Sequence, residues 1–169
     1  MTGLTGVLLV GGASRRFGRV AGQTLAARAW RLLGDVCDER IAIGKVGDGP
    51  ARPAALLDDG TTMRAALAGV VAGLQVARTE ICLVVPVDVP SLSADTLRAL
   101  AGSCADAAIL DSGPLPGAFR KSALPALEQC LAGGQLRLRD ALAELDVVTL
   151  PFGELDTPDS YGAATVMSA

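Results

Sequence analysis

An apolar run, Leu8-Leu9-Val10, passes directly into Gly11-Gly12, with Ser14, Arg15, Arg16 and Gly18 close behind. Paired glycines let a backbone approach a ligand and aim N–H groups at it, and a guanidinium offers a planar donor fork that matches phosphate oxygens. The segment reads as a phosphate cradle, the alternative being an ordinary tight turn with solvated arginines. Farther on, Pro86-Val87-Asp88-Val89-Pro90 sets one carboxylate between two prolines at the end of a second apolar run, and Asp156 stands just ahead of Thr157-Pro158-Asp159. A rigidly held carboxylate suits Mg2+, which keeps most of its waters and takes one or two protein carboxylates beside substrate phosphates. Asp88 is therefore the leading metal ligand and Asp156 the second candidate; a turn aspartate and a helix-capping acid are the plainer alternatives. Together, a basic glycine loop and two carboxylates point to metal-assisted phosphoryl chemistry.

Other chemistries are excluded by what is missing. The chain has no histidine, which removes every Ser–His and Cys–His nucleophile scheme. An attacking phosphate is already ionised and needs no general base, so transfer of a nucleotidyl group onto a phosphorylated acceptor fits that absence. No Gly-Lys-Ser/Thr follows the glycines, and Gly11, Gly12 and Gly18 do not form G-x-G-x-x-G, so neither of the two commonest phosphate loops applies. The four cysteines, Cys37, Cys82, Cys104 and Cys130, form no C-x-x-C pair and read as buried small hydrophobes.

These residues need elements to place them. Short apolar runs at 6–10, 40–43, 54–57, 81–86, 107–110 and 147–150 predict strands, most of them apolar on both faces as in a covered parallel sheet. Helical periods lie between them: Leu67, Val70, Val71 and Leu74 form one stripe, and Leu138, Leu142 and Leu145 another. A helix is expected to open directly out of the glycine loop, from near Ala21 to Leu33. Ser93 is placed to cap another, Gly133-Gly134 to stop one over 123–132, a further segment to run from about 137 to 144, and Thr157-Pro158 to start the last. The alternation predicts an α/β, three-layer fold, with a mainly parallel sheet and helices on both faces. In such sheets ligands bind beyond the carboxyl ends of the strands, so residues 11–18, 86–91 and 151–157 are expected on one edge.

With 169 residues, half of them hydrophobic, the chain suits one well-buried core. Five aromatic residues and a net charge of −3 argue against nucleic acid as a partner. No apolar run approaches the ~20 residues needed to cross a bilayer, and the N-terminus does not resemble a signal peptide, so no membrane association and a cytoplasmic location are expected.

The glycine loop resembles the LxGGxSxRxG signature of MobA-like nucleotidyltransferases, the family that includes molybdenum cofactor guanylyltransferases. Pro86 to Leu92 is similar to that family's CDxPxL metal loop, Leu67 to Leu74 to its LAGxxAGL helix, Pro114 to Lys121 to the segment after its acceptor-side strand, and Asp156 to Asp159 to its C-terminal (N/D)TPED element. The resemblance implies a Rossmann-like domain over 1–169, with residues 1–90 as the nucleotide-binding half and 91–169 as the acceptor-side half. It also implies GMP transfer from GTP to molybdopterin with release of pyrophosphate. Leu9, Gly11, Gly12, Ser14 and Arg16 would then meet the nucleotide, Asp88 and Asp156 would hold Mg2+, and Arg16, Arg19 and Asp88 would act in catalysis. A molybdoenzyme maturation protein is a further implied partner. Where the family carries a lysine after the loop, this chain reads Arg19-Val20-Ala21-Gly22-Gln23-Thr24-Leu25, and before the Gly69 helix Thr61-Thr62-Met63-Arg64 replaces a glycine- and proline-containing stretch. Arg19 is the cation placed to stand in for the lysine. A relative that binds a nucleotide or a partner without catalysis stays open, as does a nucleotidyltransferase for another phosphorylated small molecule. On the acceptor side, Arg120, Lys121, Arg137 and Arg139 could receive an anionic phosphate or be solvated helix charges.

Overall fold

Both faces of the first strand, β1 (Leu4–Val10), are covered: Val7 and Leu8 point to opposite sides and neither is exposed. A half-exposed strand would alternate, and this one need not. The computed structural model describes residues 3–10, 19–20, 23–44, 56–58, 66–87, 89, 92–134 and 137–152. After β1 come β2 (Arg19–Val20), β3 (Gln23–Thr24), α1 (Leu25–Val36), β4 (Glu39–Gly44), β5 (Leu56–Asp58), α2 (Ala66–Val76) and β6 (Ile81–Pro86). They are followed by α3 (Ala94–Ser103), β7 (Ala107–Leu110), β8 (Gly113–Arg120), α4 (Leu124–Ala132), α5 (Leu138–Ala141) and β9 (Val147–Leu150).

Seven strands form one sheet in the order β5-β4-β1-β6-β8-β7-β9, and β2 and β3 pair separately. All strands of the large sheet run the same way except β8, which is antiparallel to both neighbours. The chain winds from β1 outward through β4 to β5, then returns to the other side of β1 as β6. Right-handed crossovers in opposite directions put their helices on opposite faces. Accordingly, α1 and α3 share one core with Leu8, Val10, Leu83, Val85 and Val87. On the other face α2, α4 and α5 cover Val7, Ile43, Cys82, Val84 and Phe119. The α/β three-layer architecture expected from the alternation of strand and helix is therefore present, with strand winding that reverses between β1 and β6.

Helix α2 is more deeply enclosed than its apolar stripe foretold, since every residue from Leu67 to Leu74 is buried. It seats against β1 through glycine: a methyl group on Gly69 would lie 2.7 Å from Leu9 Cδ2, and one on Gly73 2.9 Å from Val7 Cγ1. Helix α4 covers its outer side, and Gln75 Nε2 donates to Glu128 Oε1 at 2.9 Å. Ser93 caps α3 by accepting the Thr96 N–H at 3.1 Å. Helix α4 stops at Gly133, and Gly134 has φ 84°, a left-handed conformation that glycine tolerates.

Two expectations need correction. The helix expected from near Ala21 begins only at Leu25, because Arg19–Val20 and Gln23–Thr24 form a short antiparallel hairpin first. Gly22 is a poor helix former and Val20 and Thr24 are β-branched, which favours that local choice. The longest strand, β8, was not foreseen, because two prolines and two glycines in Gly113-Pro114-Leu115-Pro116-Gly117 argue against a central strand. Its pairing with β6 is confined to Gly117 through Arg120, and its register with β7 shifts between Ile109 and Leu110, so the prolines sit beyond the regular ladder. The helix start expected at Thr157 lies outside the described residues.

Candidate functional site

Sheet order determines where the two chemistry-bearing loops begin. Strands β1 and β6 are hydrogen-bonded neighbours running in parallel, with Leu9 opposite Pro86. Adjacent strands lie about 4.8 Å apart, so the chain leaves for residues 11–18 and for Asp88 from adjoining points on one edge. The reversal of winding between these strands makes this a topological switch point, the crevice where open α/β sheets bind ligands.

The segment that carries Asp88 is anchored at both ends. Val87 and Leu92 are buried in the core shared with α1 and α3. Leu92 N–H donates to the Val89 carbonyl at 3.3 Å, and Arg28 Nη2, reaching across from α1, donates to the Leu92 carbonyl at 3.2 Å. Arg28 was not singled out from sequence. Nothing but its helical register could have placed its guanidinium beside this loop.

Leu9 is the penultimate residue of β1, half-buried, with its side chain under α2 against Gly69. Arg19 opens the hairpin that follows the glycine loop, paired through its backbone with Thr24. Gly11, Gly12, Ser14, Arg16, Asp88 and Asp156 lie outside the described residues. Strand β9 also ends on the edge shared by β1 and β6, so the third expected loop starts there, but three inter-strand spacings from β6, or about 14 Å. The six steps of chain from Leu150 to Asp156 have a contour length of at most about 20 Å, longer than that separation.

Arg120 and Lys121 belong elsewhere. Because β8 runs antiparallel, Arg120 pairs with Ile81 at the start of β6, on the opposite edge of the sheet. There Arg120 Nε donates to the Ala105 carbonyl and Nη2 to the Cys104 carbonyl, both at 2.9 Å, tying the end of α3 to the sheet. Arg137 and Arg139 are exposed at the start of α5. The other end of β8 does reach the crevice edge, through the turn from β7. Asp111 in that turn, another residue unmarked in the sequence, accepts the Phe152 N–H on Oδ1 at 3.1 Å.

All four cysteines are free thiols, Cys82 and Cys104 buried and Cys37 and Cys130 half-buried. Burial pushes the thiols of Cys37 and Cys82 up to about 12 and that of Cys104 up to about 11, so all three stay protonated. Among the described residues, no group of three or more His, Cys, Asp or Glu side chains could hold a metal, and no helix is long and apolar enough to cross a membrane.

A family model described as the MobA-like NTP transferase domain matches residues 6–148. The chain belongs to that family. It is 34% identical over 161 residues, covering 84% of this chain and 77% of the other, to a probable molybdenum cofactor guanylyltransferase of Chloroflexus aggregans. Among solved structures it resembles the molybdopterin-guanine dinucleotide biosynthesis protein A of Archaeoglobus fulgidus, with TM-score 0.70 and 21% identity over 96% of this chain and 97% of that one. It resembles the 4-diphosphocytidyl-2C-methyl-D-erythritol synthase of Anaerococcus prevotii as closely in shape, with TM-score 0.72, 14% identity and 98% coverage of each chain. Both solved structures share the fold of this chain. Membership does place the chain among the NTP transferases, with the β1–β6 crevice as the part of the fold that its two motif loops adjoin.

Proposed function

We propose that this chain transfers GMP from GTP to molybdopterin. The observation that carries the reading is the registry of Leu9 with Pro86 across neighbouring parallel strands, which starts the glycine loop and the Asp88 loop side by side at the switch point. The name of the Chloroflexus aggregans relative supports the choice of substrates.

In this reading Leu9, Gly11, Gly12 and Ser14 seat the nucleotide, and Arg16 and Arg19 draw charge from its phosphates. An acceptor phosphate oxygen forms a bond to the α-phosphorus as the bond from that phosphorus to the bridging oxygen breaks, and pyrophosphate departs. The acceptor is already ionised, so no side chain need remove a proton. Asp88 and Asp156 offer the hard oxygen donors that Mg2+ prefers, and the anchoring of residues 87 and 92 in the core suits a ligand that must not move. When bound, that ion neutralises triphosphate charge. The chain's own contribution is orientation and charge placement, which dominate phosphoryl transfer.

The test is incubation with GTP, Mg2+ and molybdopterin, followed by measurement of pyrophosphate and of the dinucleotide product. CTP and ATP serve as competitors. Release from GTP alone among the triphosphates supports the reading; equal or greater release from CTP overturns the base assignment, and no release from any of them overturns the reaction.

A further inference from the structure

We infer that Asp111 is a positioning residue of the crevice edge, whose carboxylate fixes the path by which the chain leaves β9. The inference rests on the proposed reading that residues beyond Phe152 supply a carboxylate to the reaction. Strand β9 is the last in the sheet and pairs in parallel with β7 from Val147 to Leu150. The ladder ends at the pair Leu110–Leu150, and the next residue, Pro151, has no N–H to donate. The first donor beyond the strand is the Phe152 N–H, and Asp111 Oδ1 takes it at 3.1 Å. The backbone of Asp111 meanwhile donates its own N–H to the Leu150 carbonyl at 2.9 Å. One residue in the β7–β8 turn therefore grips the chain on both sides of the proline.

The place of this clamp gives it a role beyond holding an edge strand. The β7–β8 turn lies on the same edge as the ends of β1 and β6, and in sheet order it stands between β6 and β9. A chain that leaves β9 must travel about 14 Å toward β6 to bring Asp156 near Asp88. Only three residues lie between Phe152 and Asp156, so the direction in which the chain leaves Phe152 bears directly on how precisely that carboxylate can be delivered.

The variants Asp111→Asn and Asp111→Ala separate this role from others. Asparagine keeps the Oδ1 acceptor and removes the charge; alanine removes both. With GTP, Mg2+ and molybdopterin, D111A is expected to lower kcat about 10- to 100-fold, the cost of misplacing a reacting group by about 1 Å, while D111N stays close to wild type. Hydrogen exchange of the Phe152 amide is expected to quicken in D111A and not in D111N. Wild-type kcat in D111A overturns the inference, and so does an equal loss in D111N, which would mean that the charge itself acts. Unchanged exchange at Phe152 in D111A overturns it as well. Failure of the functional reading looks different: the wild-type protein releases no pyrophosphate, and the exchange comparison alone then decides whether the clamp exists.

Discussion

The proposed chemistry concentrates on Asp88, and Asp88→Asn removes its charge while keeping its size. The loop ends at Val87 and Leu92 stay buried in that variant, so unfolding by urea is expected to be unchanged while pyrophosphate release falls about 100-fold or more, in line with losing one charge-stabilising group in a transition state. A variant with full turnover would remove Asp88 from the reaction. Arg120 gives the opposite pattern. Its guanidinium makes two hydrogen bonds to the carbonyls just past α3; charged donors contribute about 1.5–3 kcal/mol each, and two bonds sharing one half-buried group do not add in full, so Arg120→Ala is expected to lower stability by about 2–4 kcal/mol. Because the residue sits on the far edge of the sheet, kcat at a temperature where the variant is folded should match wild type; a loss of kcat there would return Arg120 to the acceptor site. From sequence Arg120 is a candidate acceptor-side cation and Arg28 is not singled out. Only the antiparallel direction of β8 takes the first away from the crevice, and only the register of α1 brings the second to it.

Two glycines set how closely the elements approach, and their environments rank the cost of filling them. A methyl group on Gly117 would lie 2.7 Å from the Pro114 carbonyl oxygen and 3.1 Å from that of Ala108. Backbone cannot swing aside, so Gly117→Ala must shift the Pro114 carbonyl within β8 and push β8 from β7 at Ala108. At Gly69 the obstacle is the end of the Leu9 side chain at 2.7 Å, which can turn. Overpacking there costs about 1–3 kcal/mol, and the better helix propensity of alanine returns about 1 kcal/mol. Urea midpoints are expected to fall farther for G117A than for G69A, and the reverse order would show that the sheet yields more easily than the helix seat. G69A should instead raise KM for the nucleotide, since Leu9 moves beside the loop proposed to receive it. The stripe Leu67, Val70, Val71 and Leu74 was legible because periodicity records burial, and the strand at 81–86 because it is apolar on both faces. Strand β8 was not legible, because its prolines announce an end of regular pairing and carry no sign of the ladder that begins at Gly117. The hairpin at 19–24 was missed for a related reason: four paired residues hold no periodicity to read.

At the scale of the molecule, alternation of strand and helix was enough to give the layers, and parallel strands were enough to start three loops from one edge. The strand order was not in the sequence, yet it is what makes β1 and β6 neighbours and so gives the site a location. The same layering sets how the whole fold responds to alkali. Cys82 and Cys104 are buried in the sheet and at the end of α3, and Cys37 is half-buried at the end of α1, so none can ionise without water. Their thiols are pushed from an ordinary value near 9 up to about 12, 11 and 12 for Cys82, Cys104 and Cys37, chiefly by desolvation. Between those limits the unfolded chain has released protons that the folded chain still holds, so it binds fewer, and the stability of the fold must fall as pH rises. Below about pH 9 both states are protonated and these thiols leave stability independent of pH. Thermal unfolding measured from pH 8 to pH 11 should therefore show Tm falling progressively above about pH 9. A variant with Cys37, Cys82 and Cys104 all changed to alanine should show a shallower fall, whatever its Tm at pH 8. Parallel curves for the two proteins would mean that the buried thiols do not govern the alkaline limit, and that other groups titrating in this range, such as lysine, do.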